Sequence, residues 1–276
     1  MSKNKKLIFK DYNEIPENVD FNNPKSNLVT MISKKTGKVL FKKRKNKVII
    51  GGSELTALSH FSPYEISEGD FTTPSYDAEL GLTKPVGVIE STSRPFICLF
   101  AIGIDGAGTA QHEIKKVEFS KRLSHPNIIP FKMPLSAYEL TNYEKEMYHG
   151  IHLHGGRRYY YFKAFDTKPA LTMKHISDDS DVGSDVYSNP RVDEIEVKVT
   201  CRMGVGLHDA RDWFVHNEGI NHARFNTISL LFANEVRLQN GDFYYDNIRP
   251  ATKVNFANTP LNDENEGVDI IYELYY

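Results

Sequence analysis

The sequence is short of cysteine, nearly without tryptophan and free of long apolar runs, and each shortage removes a class of protein. Its two cysteines, Cys98 and Cys201, sit inside apolar or alternating runs. Two thiols cannot supply a zinc set, and in that setting they read as buried free thiols rather than a disulfide. No apolar run approaches the roughly 20 residues that a membrane-spanning helix needs. The opening residues, Met1-Ser-Lys-Asn-Lys-Lys-Leu-Ile-Phe-Lys10, lack the apolar centre and small-residue cleavage site of a secretory signal. The expectation is therefore a protein made and kept in the cytoplasm, or in something assembled there, with no membrane partner. Gly-x-Ser-x-Gly elbows and Cys–His pairs in a catalytic context are missing, so nucleophilic catalysis has no foothold. Gly103-Ile-Asp-Gly106-Ala-Gly108 follows an apolar run but has neither dinucleotide spacing nor the Lys-Ser/Thr of a phosphate loop, and reads as a turn.

Aromatic residues, by contrast, are plentiful: 15 Tyr and 16 Phe in 276 residues, side chains that suit pleated, half-buried surfaces. The last fifty residues organise the reading. Val268, Ile270, Tyr272, Leu274 and Tyr276 recur at period two, which commits one strand face to an apolar neighbour and ties down the C-terminus. Ile195-Glu-Val-Lys-Val-Thr-Cys-Arg-Met203 alternates as cleanly, with apolar or sulfur-bearing residues at every odd position. Phe96 to Ile104 is a continuous apolar run closed by a turn, the mark of a buried strand, and Arg158 to Phe165 is aromatic enough for a strand touched on both faces. Shorter strands are expected at Ile114 to Phe119 and Ile128 to Phe131. Helices are expected at Glu54 to Phe61, capped by Ser53 and stopped by Pro63, and at Leu207 to Asn217; a surface helical turn falls between Pro134 and Gly150. No internal repeat is found. The fold class is thus mainly β (α+β), a sandwich- or barrel-like body with a few short peripheral helices and long loops. Residues 1–30 form an extended N-terminal arm and 31–276 a single β-rich domain. The irregular stretch from Gly69 to Pro95, punctuated by proline and glycine, is long enough to wrap a neighbour.

Net charge is −2 but unevenly spread: residues 1–50 hold 13 basic against 4 acidic side chains, so the remainder is strongly acidic. A basic end and an acidic body attract nucleic acid, or the opposite ends of other copies. The basic residues concentrate in Gly37-Lys-Val-Leu-Phe41, Lys42-Lys-Arg-Lys-Asn-Lys47 and Val48-Ile-Ile50, two apolar runs about a polar centre that predict a β-hairpin. Lys38, Lys42, Lys43, Arg44, Lys45 and Lys47 would be its assembly- or DNA-facing residues; a solvated or inter-subunit hairpin is favoured, since lysines also blunt edge strands. Three further clusters are weighed as metal or acid–base sites, and for each the residues favour a structural role. His152 and His154 share one side of a strand near His149, without an adjacent carboxylate. His208, Asp209, Asp212 and His216 would line one side of a helix. The loop Asp179-Ser-Asp181-Val-Gly183-Ser-Asp185 resembles a calcium loop with its glycine one place early and no closing glutamate. No catalytic, cofactor-binding or metal-binding residue is assigned, and the expectation is a protein that is not an enzyme and carries no cofactor.

Several runs together resemble structural proteins of large contractile tailed bacteriophages, of the kind encoded near portal and tail-sheath genes. They are Asn46-Lys-Val-Ile-Ile-Gly-Gly-Ser-Glu-Leu-Thr-Ala-Leu-Ser-His-Phe61, Ile129-Pro-Phe-Lys-Met-Pro-Leu-Ser136, Tyr159-Tyr-Tyr-Phe-Lys-Ala-Phe-Asp166, Ile248-Arg-Pro-Ala-Thr-Lys-Val-Asn-Phe256 and Ile270-Ile-Tyr-Glu-Leu-Tyr-Tyr276. The resemblance implies a virion protein, assembled in the host cytoplasm: a ring-forming neck, tail-terminator or head-completion component joining head and tail by contacts alone. Its implied partners are further copies in a hexameric or dodecameric ring, neighbouring neck, tail-tube or sheath proteins, and packaged DNA touched without sequence preference. The alternative is a baseplate or fibre module that binds host-surface carbohydrate through its aromatics and exposed Asp and His, although no carboxylate pair is placed as a glycosidase requires.

Overall fold

A computed structural model describes residues 26–45, 47–48, 50–61, 66, 68–91, 94–108, 113–117, 122–124, 127–176, 194–262 and 266–275. The chain is mostly strand, folded into two antiparallel sheets. The first has five strands: β1 (Ser26–Ser33), β2 (Val39–Lys45), β9 (Ala170–Ile176), β10 (Glu194–Gly206) and β13 (Gly267–Tyr275), in the order β2-β1-β13-β10-β9. The second has eight. Its continuous path is β3 (Lys47–Val48), β12 (Phe243–Leu261), β11 (Ala223–Leu238), β5 (Phe96–Gly103), β8 (Arg157–Ala164) and β7 (Tyr148–His154), with β4 (Val88–Ser91) beside β11 and β6 (Ile128–Ile129) beside β5. Among the described residues four short α-helices lie outside: α1 (Ile50–Phe61), α2 (Tyr76–Glu79), α3 (Asn142–Met147) and α4 (Arg211–Glu218).

The alternating sequences build the space between the sheets. Val29 and Met31 of β1, Cys201, Met203 and Val205 of β10, and Val268, Ile270, Tyr272 and Leu274 of β13 point inward from the five-stranded sheet. They meet Phe100 and Ile102 of β5, Ile228 and Leu230 of β11, and Val254 and Phe256 of β12. The pairing holds in register from Lys198↔Tyr275 to Gly206↔Gly267, because a one-residue slip would turn every apolar side chain to water. A polar contact joins the layers within this core: Tyr272, fully buried, donates its hydroxyl to Thr252 Oγ1 of β12 at 2.6 Å. Both cysteines are buried free thiols, and burial raises the Cys201 thiol to about 12 and Cys98 further still.

The eight-stranded sheet is covered on its outer face as well. Cys98, Leu99 and Ala101 of β5, Leu231 and Ala233 of β11, and Ile248 of β12 form a second core with Tyr76 and Leu80. Those two belong to a strap, residues 71–87, that crosses the sheet. At one end Glu54 of α1 accepts the Thr72 and Thr73 amides and Thr73 O accepts Arg249 Nε at 2.8 Å. In the middle Asp77 Oδ2 accepts the Ile248 amide at 2.8 Å and Tyr76 donates its hydroxyl to Leu123 O. At the far end Leu82 bridges to His152 and the Thr83 amide donates to Ile151 O. The excursion read from the sequence as material for wrapping a neighbour therefore wraps its own sheet, since the apolar outer faces of β5 and β11 need a cover.

Other expectations shift with tertiary placement. Within the arm expected over residues 1–30, Ser26 onward is strand β1, paired with β2 and β13, and residues 1–25 lie outside the described residues. The predicted hairpin over 37–50 is not one. Its true partner strand is β1, joined through the turn at Lys34 to Gly37, while β2 and β3 pair into different sheets, Lys47–Val48 against Thr252–Lys253 of β12. Helix α1 begins at Ile50, so Ser53 lies within it rather than capping it. Helix α4 begins at Arg211, after Ala210 with a left-handed φ of 62°, rather than at Leu207. Of the strand expected at 114–119, Ile114 makes an isolated bridge to Ala107 and residues 118–119 lie outside the described residues, as does the aspartate-rich stretch 178–185.

Candidate functional site

The densest polar arrangement sits where the two sheets come together at one end of the core. β8 is an aromatic strand whose residues 160–163 are all buried, so Lys163 enters the interior with Tyr160, Tyr161 and Phe162. Its cross-strand partner on β7 is Tyr148, and paired residues share a face. From the other sheet, β10 ends in Gly204-Val-Gly206 and turns tightly, the Asp209 amide donating to Gly206 O, which aims the Asp209 side chain inward. Lys163 Nζ donates to Asp209 Oδ2 at 3.0 Å and to Gly204 O at 2.7 Å. The Gly206 amide also donates to Oδ2, at 2.7 Å, and the Tyr148 hydroxyl donates to Oδ1 at 2.5 Å. Side-chain exposure is 9% for Lys163 and 5% for Asp209, and the amine lies 5.4 Å from the Tyr148 ring centre and 5.9 Å from that of Phe131. Burial raises the Tyr148 phenol, with Asp209 adding to the effect, so it stays a donor. A second carboxyl, Asp166, is exposed; partial desolvation raises it, with Lys163 and Lys34 opposing. It lies against Gly204, where an added Cβ would come 2.8 Å from Asp166 Oδ2 and 2.7 Å from Lys34 Nζ.

The sequence placed Asp209 with His208, Asp212 and His216 on one helix face. The structure separates them: Asp209 is buried ahead of α4, and His208, Asp212 and His216 are exposed. His149, His152 and His154 also divide. His149 is buried, its Nε2 2.9 Å from Glu146 O and its ring 4.7 Å edge-on to Tyr245, and burial lowers it to about 4. His152 and His154 do share a side, their rings stacked at 5.9 Å, with His152 Nδ1 3.1 Å from Gly81 O. Among the described residues no three His, Cys, Asp or Glu side chains gather as a metal-ligand set.

The basic residues form no loop tip. Lys42, Lys43, Arg44 and Lys45 lie along β2, Lys47 lies in β3, and Lys38 is exposed at the turn before β2. Among the described residues β2 and β9 are the edges of the five-stranded sheet. All four of its pairings are antiparallel, so these two edge strands run in the same direction. They differ in character. β2 carries two register shifts against β1, and β9 pairs with β10 without one and exposes Leu171.

A cleft of about 640 Å³ opens between the Gly103–Gly108 turn and the ends of β11 and β12, lined by Ile104, Ala107, His222, Arg224, Asn258 and Pro260 among others. Asn226 fixes its wall: Oδ1 accepts the Gly106 amide at 2.6 Å and Nδ2 donates to Asn258 Oδ1 at 2.8 Å. Gly106 is required there, because a Cβ would stand 1.9 Å from Asn226 O. Compared with known protein families, curated proteins and solved structures, the chain matches none. Sequence reasoning missed Lys163, Tyr148 and Asn226. The one available signal was a lysine in the middle of an otherwise aromatic strand, since a buried lysine requires a partner.

Proposed function

We propose that this chain is a structural subunit of a large tailed, contractile bacteriophage virion, a ring-forming neck or tail-terminator component that works by protein–protein contacts. The observation that carries the reading is the pair of unlike edges on the five-stranded sheet. A heterologous ring contact needs two different surfaces on one subunit, presented so that each copy can offer one to the next. The edge strands β2 and β9 run in the same direction and differ in charge pattern and regularity. β2 contributes Lys42, Lys43, Arg44 and Lys45, and the sequence after β9 carries Asp178, Asp179, Asp181 and Asp185. Two unlike edges on one sheet favour head-to-tail over head-to-head contact. The resemblance of the runs at 46–61, 129–136, 159–166, 248–256 and 270–276 adds the phage context. Size-exclusion chromatography with light scattering should show a hexamer or dodecamer, and the chain should be found in purified particles; a strict monomer absent from virions sinks the reading.

A second reading, a module that binds host-surface carbohydrate, draws on the cleft. Its lining pairs apolar Ile104, Ala107 and Pro260 with His222, Arg224 and Asn258, the mix of C–H contact and hydrogen bonding that a sugar ring takes. Glycan-array binding that disappears in Asn258→Ala would favour it.

A further inference from the structure

We propose that Lys163 and Asp209 condense to an amide, a covalent cross-link between the two sheets of the sandwich. The reactants are already in contact, with Nζ 3.0 Å from Asp209 Oδ2 and both side chains shielded from water. Attack requires one proton to pass from the ammonium to the carboxylate, and the existing Nζ–Oδ2 hydrogen bond is the path for it. Held in contact, the two groups react without the entropy loss of an encounter.

The neighbouring groups suit each step. The amine lone pair attacks Asp209 Cγ, and negative charge develops on Oδ1, where the Tyr148 hydroxyl already donates at 2.5 Å. The Gly206 amide holds Oδ2, the oxygen that leaves. The proton moves from nitrogen to the departing oxygen along the hydrogen bond that already joins Nζ to Oδ2. The Nζ–Cγ bond forms and the Cγ–Oδ2 bond breaks. Of the three ammonium protons, two leave with Oδ2 as water and one remains on the amide nitrogen, where it keeps the existing contact to Gly204 O. No oxidant, reductant or cofactor is needed. The second enclosed pair, Lys253 Nζ to Asp105 Oδ2 at 2.8 Å, is the internal control. Its other oxygen, Oδ1, has no hydrogen-bond partner among the described residues, so nothing stabilises charge there and the pair stays ionic.

The test is intact-mass spectrometry of the full folded chain after denaturation. The expected mass is one water, about 18 Da, below that of the sequence, with tandem spectra joining the peptide of Lys163 to that of Asp209. An unmodified mass after days at neutral pH overturns the proposal, as does a dehydrated chain in which those peptides are separate or in which Lys253 and Asp105 are joined instead. Lys163→Arg keeps the charge without a primary amine and should restore the full mass. Tyr148→Phe keeps the ring and should slow linkage roughly hundredfold, the usual loss on removing one donor to a developing oxyanion; equal rates in the two chains would overturn the arrangement.

Discussion

The two sheets share one core but differ on their outer faces. Among the described residues no second layer covers the outer face of the five-stranded sheet, where Lys198 meets Glu273 at 2.9 Å and Lys34 meets Asp269 at 3.5 Å. Along β13, Asp269 is exposed while Val268 and Ile270 on either side are fully buried. The eight-stranded sheet has no such alternation at its centre: Leu99, Phe100, Ala101 and Ile102 are all fully buried, as are Leu230 to Ala233. The difference teaches how an unbroken apolar run should be read. It announces a second cover, and here the cover is the chain's own strap at 71–87 rather than another subunit.

Truncation is the most severe test of that contrast. Leu99→Ala, beneath the strap, should cost about 2–5 kcal/mol of unfolding free energy. Ile271→Ala, on the outer face of the five-stranded sheet, should cost no more than about 1 kcal/mol. Urea denaturation of both variants checks it, and equal losses would mean that the five-stranded sheet is covered too.

Acid probes the two attachments of the strap side. Asp77, which holds β12 through the Ile248 amide, is raised by burial, with Asp246 adding, from 3.8 to about 6. Its folded state binds the proton more tightly, so its contribution to stability is fully present below about 4 and is lost as pH rises through 6. His149, lowered by burial from 6.5 to about 4, acts oppositely: its contribution is present above 6.5 and lost as pH falls through 4. Each is worth up to roughly 3 kcal/mol over its full range. Between pH 7 and 4.5, Asp77→Asn should make the acid loss of stability steeper and His149→Phe should make it shallower. Melting curves at the two pH values decide, and a slope unchanged in both variants would refute the burial of these groups.

Smaller effects sharpen the comparison. Tyr272→Phe removes the hydroxyl that joins the sheets through Thr252 and should cost about 1 kcal/mol, together with exposure of a buried acceptor. Glu273→Gln, on the solvated face, should cost less than about 1 kcal/mol and lose even that in high salt. A larger, salt-insensitive loss would show that another surface covers this face.

Much of the fold can be read from local pattern. The alternation in 195–203 and 268–276 gives β10 and β13, and the apolar run 96–104 gives β5, because side-chain direction in a strand follows from backbone geometry alone. The site is far less legible. Asp209 is three residues past the last glycine of β10 in a stretch that also fits a helix, and only the tight turn closed by its amide on Gly206 O makes it point inward. The basic run 42–47 has the look of a hairpin tip, yet its two halves join different sheets, a choice made by β1 and β12 rather than by the run itself.

Composition and periodicity by themselves determined that this chain is β-rich, which strand faces are apolar, and that its C-terminal strand is held in a sheet. Tertiary structure alone decided that the strap folds back on its own sheet, that β2 and β3 part company, and that Lys163, Tyr148 and Asp209 meet. The reason is range. Strand periodicity is a property of neighbouring residues, whereas Lys163 and Asp209 are 46 positions apart in sequence and are brought together only when the two sheets close on a common core.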